Sequence, residues 1–159
     1  MTLTIRPATP ADTSALGRLG ALLVEVHHQF DPDRFIAPTP RTEGVYGEFL
    51  AGQIGREGTV VLVAEEDGAV VGYTYAALEG DDWLTLRGPA GVIYDLMVDP
   101  EHRRQGIGRR LLEETMAALQ RLGAPRIQLS TAERNGTAQK LFASLGFRAT
   151  MIEMTRETS

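Results

Sequence analysis

Gly91 to Val98 (GVIYDLMV) is an apolar, strand-like run stopped by Asp99-Pro100, and soon afterwards Gly106 opens a stretch in which Leu111, Leu112, Met116 and Leu119 recur at helical spacing. A strand that feeds a helix through a short loop constrains the fold strongly. The helix has to bury its apolar stripe on the sheet it has just left, which makes the chain an α/β protein.

The other elements extend this plan. Leu3 to Arg6 alternates as a short strand. Thr9-Pro10-Ala11-Asp12 reads as a helix start, with a capping threonine, a proline in the first turn and an acid at the positive dipole end. Leu16, Leu19, Leu23 and Val26 continue that helix to about His28. Phe30 to Pro38 reads as a loop, and Thr39-Pro40 predicts a second helix ending near Gly52 or Gly55. Thr59 to Glu65 and Ala69 to Leu78 are strands joined by the Asp67-Gly68 turn, and residues 79–90 are a polar excursion. After the Gly106 helix, Arg126 to Ser130 reads as a strand, Asn135 to Leu145 as a helix and Phe147 to Thr155 as a last strand. The expected order is β-α-α-β-β-β-α-β-α-β, a mixed central sheet flanked by helices. The 159 residues suffice for one domain (1–159) with its own core and are too few for two.

Residues 101–112 (EHRRQGIGRRLL) place four arginines around two glycines in a chain of net charge −5. A helix start offers backbone N–H groups and a partial positive charge, and glycines let a ligand approach them closely. The expected ligand is a phosphate or pyrophosphate. It is not held in a Walker loop, which needs Lys-Ser/Thr where Arg109-Arg110 stand. Nor is this a dinucleotide fingerprint, which needs a glycine where Leu111 stands. The competing reading is a tight turn beside a solvated, arginine-rich helix end.

Composition narrows the chemistry further. The acidic balance argues against a nucleic-acid partner, which would need a broad basic face, and suits a cationic one. With no cysteine, disulfides, thiolate metal sites and a cysteine nucleophile are excluded. No apolar run approaches the roughly 18 residues of a membrane span. The N-terminus lacks the pattern of a signal peptide, so the cytoplasm is the expected compartment and no membrane partner is expected. His27 and His28 are adjacent, about 100° apart on a helix, and cannot share one metal as an i, i+4 pair does. No metal is expected. No Gly-x-Ser-x-Gly elbow is present to support a serine triad. Trp83, Tyr73 and Tyr75 read as core or interface aromatics.

Arg103-Arg104-Gln105-Gly106-Ile107-Gly108 fits the Arg/Gln-x-x-Gly-x-Gly/Ala signature of the GNAT superfamily, the acyl-CoA-dependent N-acyltransferases. The preceding YDLMVDPEHR resembles that family's central strand and its exit, and Asn135, Ala138 and the Leu145-Gly146-Phe147 close resemble its last helix-to-strand passage. The element order matches as well. This resemblance implies acetyl-CoA as cosubstrate, with its pyrophosphate on the N–H groups of residues 104 to 109, so that Arg103, Arg104, Gln105, Gly106, Ile107, Gly108 and Arg109 form the cradle. The pantetheine arm would pair with Leu96, Met97 and Val98, in a slot made where this strand splays from strand 126–130. An N–H of Met97 or Val98 would polarise the thioester carbonyl. Asn135, Ala138 and Phe142 would line the arm. A homodimer is the common assembly.

The implied reaction is attack of a primary amine, from a small molecule or a protein, on the thioester. The amine must be neutral to attack, so a base is required. Asp95 and Tyr94 occupy the family's acidic positions on the central strand. Strict alternation would point them to opposite faces, and Asp95 is preferred because a carboxylate also attracts a cation. A hydrogen-bonded structural aspartate is its competing reading. Glu79 is a secondary candidate. Glu25, His28, Phe30 and Tyr75, with Asp31 and Phe35, are expected at the acceptor wall. One departure matters: where many members have a tyrosine that protonates the leaving thiolate, this chain has Phe142. A thiolate whose parent thiol ionises at about 8.5 does not strictly need that acid. The alternative is a non-catalytic acyl-CoA-binding or sensing domain.

Overall fold

The computed structural model describes residues 2–103 and 105–159. Five strands, β1 (Leu3–Pro7), β2 (Thr59–Glu66), β3 (Ala69–Glu79), β4 (Ala90–Val98) and β5 (Ile127–Leu129), lie side by side in that order. The first four pair antiparallel, and β4 pairs with β5 in parallel. A parallel pair needs a crossover, which α3 (Ile107–Arg121) supplies; the remaining helices are α1 (Thr13–Phe30), α2 (Thr42–Gln53) and α4 (Gly136–Ser144).

Alternation along the strands divides the interior in two. Leu16, Leu19 and Leu50 from α1 and α2 pack with Val61, Val63, Tyr73 and Met97 on one face. Leu112, Leu119 and Phe142 pack with Val60, Ala76 and Ile93 on the other, and Ile107 and Leu111 continue that layer toward Ala64 and Val71. The Thr9-Pro10-Ala11-Asp12 signal forms a single turn (Pro10–Asp12) leading into α1, closed by a capping box in which Asp12 accepts from the Thr9 N–H at 2.8 Å. Arg6 donates to both Asp12 oxygens, at 2.8 and 3.0 Å, holding that carboxyl below the usual range. Helix α2 begins at Thr42, two positions later than the Pro40 start that Thr39-Pro40 suggested. Thr42 closes a turn on Thr39 instead, its N–H donating to the Thr39 carbonyl while its hydroxyl accepts from the Thr39 N–H.

Two glycines on α1 set how close α2 can come. A Cβ on Gly17 would stand 2.5 Å from the Glu43 carbonyl oxygen, and one on Gly20 would stand 2.2 Å from the Tyr46 ring. A mid-helix glycine replaced by alanine ordinarily gains about 1 kcal/mol. Here the collision decides the sign, since forced repacking of a close-packed contact costs about 1–3 kcal/mol. Gly20→Ala is therefore expected to lower stability, read as a lower urea midpoint at unchanged slope.

One expectation is corrected here. Residues 147–155 form no strand, so the order ends at α4 and the sheet has five strands. An alternating pattern says which side chains would share a face, but a strand also needs an edge, and β5 offers three residues. The segment turns away at Gly146, in left-handed backbone, and Arg34 donates to Glu153 at 2.8 Å, leaving Met151, Ile152 and Met154 exposed. Of the aromatics expected in the core or at an interface, Tyr73 is fully buried in the core, whereas Trp83 lies outside it, 82% exposed on a loop tied by backbone hydrogen bonds between Asp82 and Arg87. Among the described residues, no helix is long and apolar enough to cross a membrane.

Candidate functional site

The site begins where the sheet comes apart. β4 and β5 pair only over Gly91–Ile93 and Ile127–Leu129, while β4 runs on to Val98. Beyond Ile93, one backbone edge of β4 has no strand beside it among the described residues. At the same level β4 bulges: Tyr75 opposes Asp95 and Ala76 opposes Ile93, so Tyr94 is an extra residue. A bulge re-aims side chains, and here it corrects the expectation that Tyr94 and Asp95 face opposite ways. Tyr94 stacks on Tyr75 at 5.2 Å, and Asp95 accepts from Tyr73, on the same face.

The gap opens into a cavity of about 260 Å³. Ile93, Tyr94, Asp95 and Leu96 form one wall, Leu129 to Thr131 with Asn135, Ala138 and Phe142 another, and Leu23, Val24, His27, Phe35 and Ile36 a third. Asp95 is 8% exposed. Burial pushes its carboxyl up, against the opposing pull of two hydroxyls that donate to Oδ2, Tyr46 at 2.6 Å and Tyr73 at 2.8 Å. Both tyrosines are raised in turn, chiefly by their own burial, and stay protonated donors. Tyr94 donates to Glu79 at 2.8 Å and is pushed up to about 12, by burial first and then by that carboxylate.

At the far end of the gap lies the start of α3. Gly106 is left-handed (φ 76°), no side chain among the described residues caps the helix, and the first helical bond described runs from the Arg110 N–H to the Gly106 carbonyl. Ile107 is buried and anchors the turn in the α3 layer. A Cβ on Gly108 would lie 3.8 Å from Val98 and 3.7 Å from Leu141, in the passage between β4 and α4. Gln105 is exposed, and Arg103 approaches the Val98 carbonyl at 3.4 Å. Arg109 donates to Ser144 at 2.6 Å, tying α3 to α4. Arg104 lies outside the described residues. Asn135 caps α4, accepting from the Ala138 N–H at 3.1 Å, and still borders the cavity. An uncapped helix start, a glycine-lined passage and a free strand edge together suit a ligand with a phosphate end and an amide-bearing arm.

A family model for the acetyltransferase (GNAT) family matches residues 23–147. The chain belongs to that family. The chain is 32% identical over 123 residues to human N-acetyltransferase 8, covering 73% of this chain and 53% of that protein. It is 35% identical over 97 residues to the mycothiol acetyltransferase of Thermobispora bispora, covering 58% and 31%. The chain thus spans about a third to a half of these relatives' length. Among solved structures, a mutant of the BH1408 protein of Bacillus halodurans aligns with a TM-score of 0.83 at 24% identity over 98% and 99% of the two chains. AAC(6')-Iy, solved with a bisubstrate analogue of coenzyme A and acetylneamine, aligns with a TM-score of 0.72 at 18% identity over 100% and 99%. These two likenesses concern the fold.

The GNAT frame leaves some expected residues out of the cavity. Met97 is core, with only its backbone on the free edge, and Val98 is half-buried beside it. Glu25 is exposed on α1 and does not border the cavity. His28 does not border the cavity itself; its Nδ1 lies 2.9 Å from the carbonyl of Phe35, a wall residue, and clips the loop to the helix. Phe30 packs edge-on against His27, and Tyr75 stands behind Tyr94. Tyr46, which the sequence reading missed, completes the Asp95 environment. Its trace in the sequence is Gly20, the residue that makes room for its ring.

Proposed function

We propose that the protein transfers the acetyl group of acetyl-CoA to a primary amine of a small molecule or protein, in the cytoplasm. The divergence of β4 and β5 beside the uncapped start of α3 carries this reading. The backbone of residues 105–109, and of Arg104, would hold the pyrophosphate, with Arg103 and Arg109 adding charge. The free edge at Leu96, Met97 and Val98 would pair with the arm, an N–H of Met97 or Val98 facing the carbonyl, and Asn135, Ala138 and Phe142 would line it. The bound thioester supplies an activated acyl group.

Asp95 is the carboxylate of the acceptor slot. It draws the ammonium group in and accepts the proton that the nitrogen sheds as the C–N bond forms. Its raised affinity for protons favours that step. Tyr94 and Tyr75, with Glu79 behind them, form an aromatic, anionic wall suited to a cation. The net charge of −5 suits the same substrate class rather than nucleic acid.

The test is free-thiol release from acetyl-CoA over polyamines, aminoglycosides, amino acids and peptides, together with the melting temperature. A rise in melting temperature with acetyl-CoA and thiol release with at least one amine are expected. A melting shift without thiol from any amine would favour the sensing domain, the reading that buried Phe142 supports because its ring can donate no proton. No shift at all would overturn both.

A further inference from the structure

We propose that His27 is a second catalytic residue, the base that takes the first proton from the acceptor's ammonium group. This rests on the acetyl-transfer reading and adds a residue to it. His27 borders the cavity opposite Tyr94, Asp95 and Leu96. Its Nδ1 lies 2.8 Å from the Leu23 carbonyl. A carbonyl can only accept, so Nδ1 carries the hydrogen, and in the neutral ring Nε2 holds a bare lone pair. Phe30 and Phe35 meet the ring edge-on, at 6.0 and 5.1 Å between centroids, and fix its plane. Nε2 has no hydrogen-bond partner among the described residues and is not sealed from solvent. The imidazole is thus oriented from behind and open in front, as a base must be.

The other charged groups nearby are engaged elsewhere, which leaves the cavity side to Asp95. Asp95 faces it across the cavity from β4. Asp31, at the end of α1, is 3.8 Å from Arg134, and Arg34, over the far side of Phe35, is paired with Glu153. Among the described residues, Asp95 is the facing charge left without a cationic partner.

Proton accounting gives His27 its place. An ammonium group that becomes an amide sheds two protons, one before it can attack and one after the C–N bond has formed and the C–S bond is ready to break. Asp95, buried and already accepting two hydroxyls on Oδ2, is poorly placed to take the first and exchange it with water. Nε2 of His27 takes it and passes it to solvent, and Asp95 takes the second. The leaving thiolate picks up one proton, so an amine cation and a thioester yield an amide, a thiol and one proton released.

The experiment compares methylamine, fully charged in mildly alkaline buffer, with hydrazine, largely neutral there; both are small enough for any acceptor slot. His27→Gln is expected to lower kcat/KM for methylamine by about a hundredfold and for hydrazine by no more than about threefold, the first figure being within the usual range for a general base. Its melting shift with acetyl-CoA should be unchanged. His27→Gly should regain methylamine turnover when imidazole is added. Equal losses on the two nucleophiles, or a lost acetyl-CoA shift, would mean that His27 only supports the wall and would overturn the proposal. A wild type that releases thiol with neither nucleophile nor any amine of the panel would overturn acetyl transfer itself.

Discussion

Gly108→Glu is expected to remove acetyl-CoA binding while leaving the protein folded. A side chain at residue 108 starts in the passage between Val98 and Leu141, and its Cβ would make only ordinary contacts there, at 3.8 and 3.7 Å. The protein itself therefore has little reason to object to a methyl group. Glutamate goes further: it fills the passage and sets a negative charge beside the N–H groups of the helix start, where a pyrophosphate would otherwise sit. Both effects act on the ligand. Titration calorimetry should show a loss of at least about a hundredfold in affinity, equivalent to about 2.7 kcal/mol. Gly108→Ala serves as the graded control and should lose far less. An unchanged affinity in Gly108→Glu would remove this helix start as the cradle.

Asp95→Asn carries the other large effect. Turnover should fall by about a hundredfold or more on both charged and neutral amines, because the second proton must leave either kind. That separates Asp95 from His27, whose loss should spare the neutral nucleophile. The same substitution predicts a change in stability of the opposite sign. Burial raises the Asp95 carboxyl in the folded protein, so folding becomes costlier as pH climbs from the unfolded carboxyl's value of about 4 toward the raised folded value. Above that folded value the full cost is present, and below both values it vanishes. Asp95→Asn should accordingly keep or raise the melting temperature at neutral pH and gain nothing in acid. A melting temperature that falls at neutral pH would show that the carboxylate is a structural acceptor for Tyr46 and Tyr73 first.

The parts of this arrangement that were legible in the sequence are those that repeat along it. Helix and strand order follow from periodicity, and the start of α3 from a strand-ending Asp99-Pro100 followed by Gly106 and Gly108. The bulge at Tyr94 leaves no mark in a pattern of apolar residues, because Tyr94 and Asp95 are both side chains that alternation tolerates in either direction. The contact between Tyr46 and Asp95 joins residues 49 positions apart and depends on how closely two helices approach. Its only local trace is a glycine. His27 was within reach. Leu16, Leu19 and Leu23 define the buried stripe of α1, and residue 27 follows Leu23 by one turn, whereas His28 lies about 100° around the helix. The last strand failed for another reason: Phe147 to Thr155 has the composition of a strand, but composition supplies no neighbour.

The bulge also explains how β4 serves two purposes with one backbone. Gly91 and Ile93 turn toward the α3 layer, and so do Leu96 and Val98; Asp95 and Met97 turn toward α1 and α2. With Tyr94 set aside, those faces alternate without interruption. The strand thus holds one residue more than its packing requires. The surplus is absorbed where β4 leaves β5, and it appears as a tyrosine at the mouth of the cavity. A single inserted residue can in this way add a site to a sheet without disturbing the phase of its two cores. Substitution at 94 alters the wall of that site, whereas deletion would return β4 to a plain strand.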